Sequence, residues 1–526
     1  MPTFARQDAS RGAFLELGGT HGCRGAGCGG AIELRPTELK WSKLQSNRLL
    51  RILVVCILAI ALGVAIGEFS VTREVPIKPL FVGIVALLVL FFLSQTQSIK
   101  IFALQKFLLY LTIIAGFIGS AFLTIGVGPI HLFPYRILLP LLWLFFIIEI
   151  FLQGRVAISH IKVKPYLQFL GLWLVYGVLS LAWALSKADA IRHIVFLFMA
   201  VSVIFFAVYY FSNGKDIKRF YYLWLAVLVG FLFVGLWARL TGQHLPGSSL
   251  YGETRARFMF IPTGVSAGPN EYATFLALSL PFVLALIRYR RSIFARSVGL
   301  VVLGASLYLL LETSSRANYL AVILEFAFLF TFLFKLSTKI KTAILGGLLI
   351  LALVIALPGV TQRLTGTISE ELESITSPWS LTYGSTGVRI NLIKNSLIFL
   401  GRTGGFGVGA GNVEYWMGNF PIYNTRGITN PHNWWDEILA DYGVFIFAGY
   451  ILFYLAIIAR LYKIYRYLGT GIEKMICEAL LVALVGFFFA SISASSIMAL
   501  RFQWFLFAFA LAFLNYHRIK GLGGAR

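Results

Sequence analysis

The sequence predicts an all-α, polytopic membrane protein with about 12–14 transmembrane helices and one large extracytoplasmic loop. Three observations carry this expectation. The 526-residue chain is 58% hydrophobic and 13% charged, with mean hydropathy +0.82, whereas soluble domains carry roughly 25% charged residues. Apolar stretches of about 20 residues, the length of a bilayer-crossing helix, recur along it. Lys and Arg collect on alternate loops, as the positive-inside rule requires.

The expected spans lie near 49–67, 79–94, 105–125, 137–153, 166–186, 190–211, 219–240, 270–287, 297–313, 317–335, 342–358, 440–462, 476–496 and 500–516. Lys40, Lys43, Arg48 and Arg51 precede the first, which reads as an uncleaved anchor. The Gly-rich residues before it lack an apolar core and are not a signal peptide. With both termini cytoplasmic, inner segments hold 26 of the 45 Lys and Arg. The net charge of +23 is therefore mostly topology; it also suits anionic membrane lipids. Nucleic acid is the weaker reading, because no soluble basic domain exists to bind it. The expected organisation is a disordered tail (1–45), N-terminal transmembrane helices (46–245), a second transmembrane region (246–516) that includes the extracytoplasmic loop 359–439, and a cytoplasmic tail (517–526).

Two outer loops are long, 241–269 and 359–439. The longer begins with an acidic patch at Glu370, Glu371 and Glu373. Residues 387–398 then repeat apolar positions at helical spacing, which predicts an amphipathic helix on the membrane surface. The run Gly404-Gly405-Phe406-Gly407-Val408-Gly409-Ala410-Gly411 resembles a dinucleotide fingerprint only superficially. No strand–turn–helix unit surrounds it, so it reads as a flexible turn, with a phosphate-binding backbone nest as the alternative.

The loop closes on Pro431-His432-Asn433-Trp434-Trp435-Asp436-Glu437. Asn430 as cap and Pro431 at the first helical position predict a helix start there. In that first turn the helix dipole favours a neutral His432 imidazole, which accepts a proton from a sugar hydroxyl. The bland reading makes His432 an interfacial polar residue in a belt with Trp416, Trp434 and Trp435. Asp436 lies four residues on, and either orients the ring or is an ordinary first-turn acid. His131, His193 and His244 share the outer side in weaker surroundings.

Arginines are disfavoured in outer loops, so Arg255, Arg257, Arg316 and Arg389 need a reason. Either they form an anion site suited to a diphosphate, or each snorkels to headgroups. Arg316, in the tight turn Thr313–Asn318, fits the first reading better. Glu325, mid-span, is expected to face the bundle and pair with a polar neighbour, Glu149 to snorkel, and Glu312 to partner Arg316. No metal or other cofactor is expected: Asp-x-Asp is absent, Glu371-x-Glu373 is its nearest imitation, and His21, Cys23 and Cys28 lack a second ligand pair. Four cysteines are too few for a disulfide framework.

His432-Asn433, nine residues, then Gly443 resembles the signature of the O-antigen ligase and O-antigen polymerase superfamily. Arg316-Ala317-Asn318-Tyr319-Leu320 is similar to that family's Arg-x3-Leu element, and Pro269-Asn270-Glu271-Tyr272-Ala273 and Gly387-Val388-Arg389 to further landmarks. The last motif position, usually Gly, Thr or Tyr, is Ile446 here. The resemblance covers roughly residues 250–465 and implies a membrane-embedded, GT-C-like, metal-independent inverting glycosyltransferase. Its implied donor is an undecaprenyl-diphosphate-linked glycan on the outer face, and its acceptor another glycan or a lipid-linked hydroxyl. It further implies His432 as base and Arg316 as catalytic, with Arg255, Arg257, Arg389, Asn433 and Asp436 binding substrate. The loop wording is most similar to members proposed to polymerise teichuronic-acid-type polysaccharides. The rival readings are a ligase, a lipid-linked-glycan flippase, which needs charges along the bundle interior, and a scaffolding subunit of an export complex.

Overall fold

In the computed structural model, the described residues are 98–341 and 385–521, apart from 122–124, 128–129, 154–157, 493 and 495–496, together with 343, 344 and 366. The expected tail 1–45, the spans 49–67 and 79–94, most of 342–358 and the acidic patch lie outside them. The fold is a bundle of helices: α1 (Ser98–Ile118), α2 (Pro134–Gln153), α3 (Lys164–Leu179), α4 (Lys187–Tyr210), α5 (Gly214–Thr241), α6 (Pro269–Tyr289), α7 (Ile293–Glu312), α8 (Arg316–Phe328), α9 (Ser385–Arg402), α10 (Val413–Asn419), α11 (Trp434–Tyr467), α12 (Ile472–Ala490) and α13 (Arg501–Ile519). One antiparallel ribbon, β1 (Ile125–Val127) with β2 (Ile130–Leu132), joins α1 to α2.

The eleven expected spans that fall on described residues each coincide with a helix. Eight helices among the described residues are long and apolar enough to cross a membrane. Their boundaries follow local chemistry. Asn213 caps α5 by accepting from Lys215 N and Asp216 N at 3.0 Å each, and Gly242 ends it with φ 70. Pro269 opens α6 at a position where a missing N–H loses nothing.

The interior helices are α6, α12 and α13, the last buried along nearly its whole length. α6 packs against α12 and α7, α13 against α4, and α8 against α12. The outer helices turn large apolar side chains outward, such as Leu172, Phe233 and Val301. Such a surface suits lipid and would be a liability in water. At the end of the bundle away from His432, Glu478 Oε2 accepts from Arg288 Nη1 at 2.8 Å, Tyr289 OH at 2.8 Å and Tyr465 OH at 2.9 Å, tying α6, α11 and α12 together.

Several polar residues sit differently from the sequence expectation. Glu312 pairs with Arg239 at 2.9 Å rather than with Arg316, because the turn between α7 and α8 directs it toward α5. Glu149 is buried near Tyr209 and Tyr210 instead of snorkelling. Glu325 does face the bundle, against Gly486 of α12, yet neither carboxyl oxygen has a hydrogen-bond partner among the described residues. The predicted amphipathic helix exists as α9, but its apolar side covers protein. Val388, Leu392 and Phe399 pack with Val413, Met417 and Ala440.

Candidate active site

The start of α11 is fixed by its two indoles. Trp434 is fully buried, donating from Nε1 to Tyr450 OH at 2.8 Å and from its N–H to the Ser491 carbonyl at 3.0 Å. Trp435 Nε1 donates to the Phe488 carbonyl at 3.1 Å. Trp434 thus lies in the packed interior and not in an interfacial belt, whereas Trp435 is only partly buried at the edge of the bundle. The cap is Asn433, whose Oδ1 accepts from Trp435 N at 3.1 Å. The expected cap, Asn430, sits further upstream: its Oδ1 accepts the His432 N–H at 2.9 Å, and its Nδ2 donates to Glu414 Oε1 at 2.6 Å.

His432 therefore precedes the helix and holds a left-handed backbone, φ 50, a conformation of non-glycine residues that clusters at functional sites. Its half-buried imidazole has no hydrogen bond among the described residues. Burial first, then the Arg389 guanidinium, hold its pKa below the ordinary histidine value, while Glu271 and Glu414 pull the other way. The ring is neutral at neutral pH, as expected from the sequence, although desolvation dominates where the helix dipole was anticipated.

Arg389, on α9, is partly buried; burial, then Arg316, lowers its pKa. Arg316 opens α8 after a turn in which Ser314 takes φ 56. Asn318 Nδ2 braces that turn on Ser315 Oγ at 2.9 Å and on Thr274 Oγ1 of α6 at 3.2 Å. Arg316, Arg389 and His432 are thus electrostatic neighbours in that order, with the carboxylates of Glu271 and Glu414 beside the histidine.

Other expected site residues lie apart from this group. Arg255 is exposed and engaged by Glu253, at 2.9 Å from Nε and 2.6 Å from Nη2; that pairing raises the arginine pKa and pushes Glu253 down to about 2. Arg257 is exposed over the Phe258 ring at 5.6 Å. Neither acts on His432 or Arg389. Asp436 is buried and accepts from Ser396 Oγ at 2.7 Å, which fastens α11 to α9 instead of orienting the imidazole. His244 is a structural residue, with Nδ1 at 3.0 Å from Thr263 Oγ1 and Nε2 at 2.9 Å from the Met259 carbonyl.

The glycine run is neither a flexible turn nor a phosphate nest. α11 breaks at Gly443, with φ 78, and the run fills the break. Val408 N and Gly409 N donate to the Ala440 and Asp441 carbonyls at 2.8 and 3.0 Å, and Val444 N donates to the Gly405 carbonyl at 2.9 Å. A Cβ on Gly407 would meet Asp441 O and Gly443 N at 2.6 Å. The nine-residue spacing of the motif is therefore the length of helix between the Asn433 cap and the break.

Three groups that the sequence keeps far apart meet below this site. His193, Glu437 and Asp441 present ligand atoms within 4.8 Å of one another, enough to hold a cation or to share a proton. His193 Nδ1 lies 3.9 Å from Asp441 Oδ2. Sequence reasoning missed this trio and the role of Glu414; Glu271 was visible only as part of a landmark at the start of α6.

Fold and site together define a polytopic membrane protein that gathers a neutral histidine, two arginines and two carboxylates at one end of its bundle. The chain belongs to the O-antigen ligase family. A family profile described as O-Antigen ligase matches residues 301–454, the stretch that carries Arg316, Arg389, His432 and Gly443. The Teichuronic acid biosynthesis protein TuaE of Bacillus subtilis (strain 168) is 31% identical over 418 residues, covering 78% of this chain and 84% of that protein. Family membership makes the chain a membrane protein of cell-surface glycan biosynthesis, of the polymerase or ligase kind.

Proposed function

We propose that this protein polymerises undecaprenyl-diphosphate-linked glycan units on the outer face of the cytoplasmic membrane, in synthesis of a teichuronic-acid-type polysaccharide. The observation that carries the reading is the half-buried, neutral His432 beside the adjacent guanidiniums of Arg389 and Arg316. Two neighbouring arginines repel, and an anion between them relieves that repulsion; a diphosphate with its bidentate oxygens fits. His432 takes the proton from the acceptor hydroxyl as its oxygen bonds to the anomeric carbon of the donor sugar. On the opposite face the bond from that carbon to the diphosphate oxygen breaks, and Arg316 and Arg389 stabilise the departing charge, so the anomeric configuration inverts. Arg255 and Arg257 stay outside this clamp, Asn433 fixes the helix that presents the base, and no metal is required for the step. The polymer class is proposed from the likeness to the teichuronic acid biosynthesis protein of Bacillus subtilis.

The test is transfer by purified protein in lipid nanodiscs supplied with a lipid-linked repeat unit, with and without a lipid-core acceptor. A ladder of products without the added acceptor is expected. A single addition that depends on it would replace polymerase with ligase.

A further inference from the structure

A cavity of about 510 Å³ lies at the same end of the bundle as His432, between α2, α4, α13 and the residues that follow α5. Two arginines enter it from helix starts, Arg136 from α2 and Arg501 from α13. Both are built into aromatic walls. Arg136 lies over the Phe133 ring at 5.0 Å and the Phe196 ring at 5.8 Å, and Arg501 over Phe133 at 5.0 Å and Tyr135 at 6.0 Å. Arg501 is further fixed by Nε donation to the Gly116 carbonyl at 2.8 Å, and Gly119, with φ 63, packs against its guanidinium so closely that a Cβ there would strike Nη2. Trp504 completes the wall.

On the side of the reacting groups this cavity shares a wall with another. Phe196, Met498 and Ala499 line both it and a second cavity of about 110 Å³, which Glu414 and His193 also line. Glu414 is one of the carboxylates that act on His432. In the smaller cavity Asp189 is already paired with Arg192 at 3.0 Å. The larger cavity has the size of a small-molecule site, largely apolar walls and a few fixed polar groups.

We infer that the Arg136–Arg501 cavity binds a carboxylate-bearing sugar of the acceptor chain, with the guanidiniums holding the carboxylate and the aromatic rings facing the pyranose. This rests on the polymerase reading above, in which Arg316 and Arg389 hold the donor diphosphate and leave the acceptor to be recognised elsewhere. Guanidinium forks match a planar carboxylate bidentately, and ring faces suit the apolar face of a sugar where a hydrated headgroup would gain little. An acceptor seated there has the shared wall at Phe196 and then Glu414, one of the neighbours of His432, beside it.

The test is equilibrium binding to the full chain in nanodiscs, read by titration calorimetry and by Trp fluorescence. The probes are a tetragalacturonate oligomer, its neutral methyl ester, and inorganic diphosphate. The oligomer should bind and the ester should bind roughly tenfold more weakly or worse, the scale of one charge-assisted contact. Arg136→Gln and Arg501→Gln should each weaken the oligomer by a similar factor, and Arg501→Lys should recover only part of it. Equal binding of oligomer and ester, or an unchanged affinity in Arg136→Gln, which leaves the Arg501 anchorage in place, would overturn the assignment. Tighter binding of diphosphate than oligomer, lost in the same variants, would make the cavity a phosphate site and likewise overturn it. Because binding is read without turnover, loss of the polymerase reading would appear separately, as transfer surviving in His432→Ala.

Discussion

Ala440 and Val444 are the residues that an unbroken α11 would join by a backbone hydrogen bond, and in this chain each is joined to the glycine run instead. The Ala440 carbonyl accepts from Val408 N at 2.8 Å, and Val444 N donates to the Gly405 carbonyl at 2.9 Å. The break at Gly443 therefore leaves no orphaned pair. It locks the run after α9 onto the helix that follows His432, so both sides of the site share one frame.

Gly443→Ala should disrupt that frame. A Cβ there would meet the Phe406 carbonyl carbon at 2.5 Å, and the backbone, with φ 78 and ψ −178, lies in a region essentially reserved to glycine that costs a residue with a side chain about 1–3 kcal/mol. A lower unfolding temperature in detergent, together with loss of transfer, is the expected result. Wild-type thermal behaviour would show that the break tolerates a side chain.

The acid limb of the pH–rate profile should report His432. A base with a depressed pKa stays neutral at neutral pH and loses activity only as pH falls through that pKa. Removing the positive neighbour with Arg389→Gln raises the pKa and moves the limb to higher pH. Glu271→Gln and Glu414→Gln remove neighbours that raise it, and move the limb to lower pH. Opposite shifts in the two kinds of variant, measured as kcat/KM against pH, are the expected signature.

Asn433 separates structure from substrate contact. Losing its cap in Asn433→Ala should destabilise the protein by ~1 kcal/mol, whereas Asn433→Asp keeps the acceptor oxygen and should restore the unfolding temperature. Full activity in the Asp variant assigns Asn433 to the cap. Lost activity at wild-type stability would assign it to the substrate.

Ser396→Ala should destabilise by about 1–3 kcal/mol, since it leaves the buried Asp436 carboxyl without the 2.7 Å hydrogen bond that joins α9 to α11. Ser396→Ala with Asp436→Leu should recover part of the loss. Thermal unfolding of the two variants checks this.

The spans were legible because a bilayer imposes a length of apolar sequence that few other environments require, and every expected span on described residues is a helix. His432 and the outer arginines were legible as residues out of place in greasy surroundings. The break at Gly443 was not, since apolar residues continue through it and periodicity carries no record of a lost hydrogen bond. The His193–Glu437–Asp441 trio and the Arg136–Arg501 cavity depend on contacts between helices remote in sequence, which spacing within one helix does not reveal. Arg255 misled for the opposite reason: its partner Glu253 stood two residues away, a local pairing that outweighs any general rule about outer arginines.

Whether His432 is the base of glycan transfer is decided by product formation from His432→Ala in nanodiscs with a lipid-linked repeat unit, measured alongside binding of that donor. The wild type should give a product ladder and the variant none, with donor binding retained. A full ladder from His432→Ala would contradict that role.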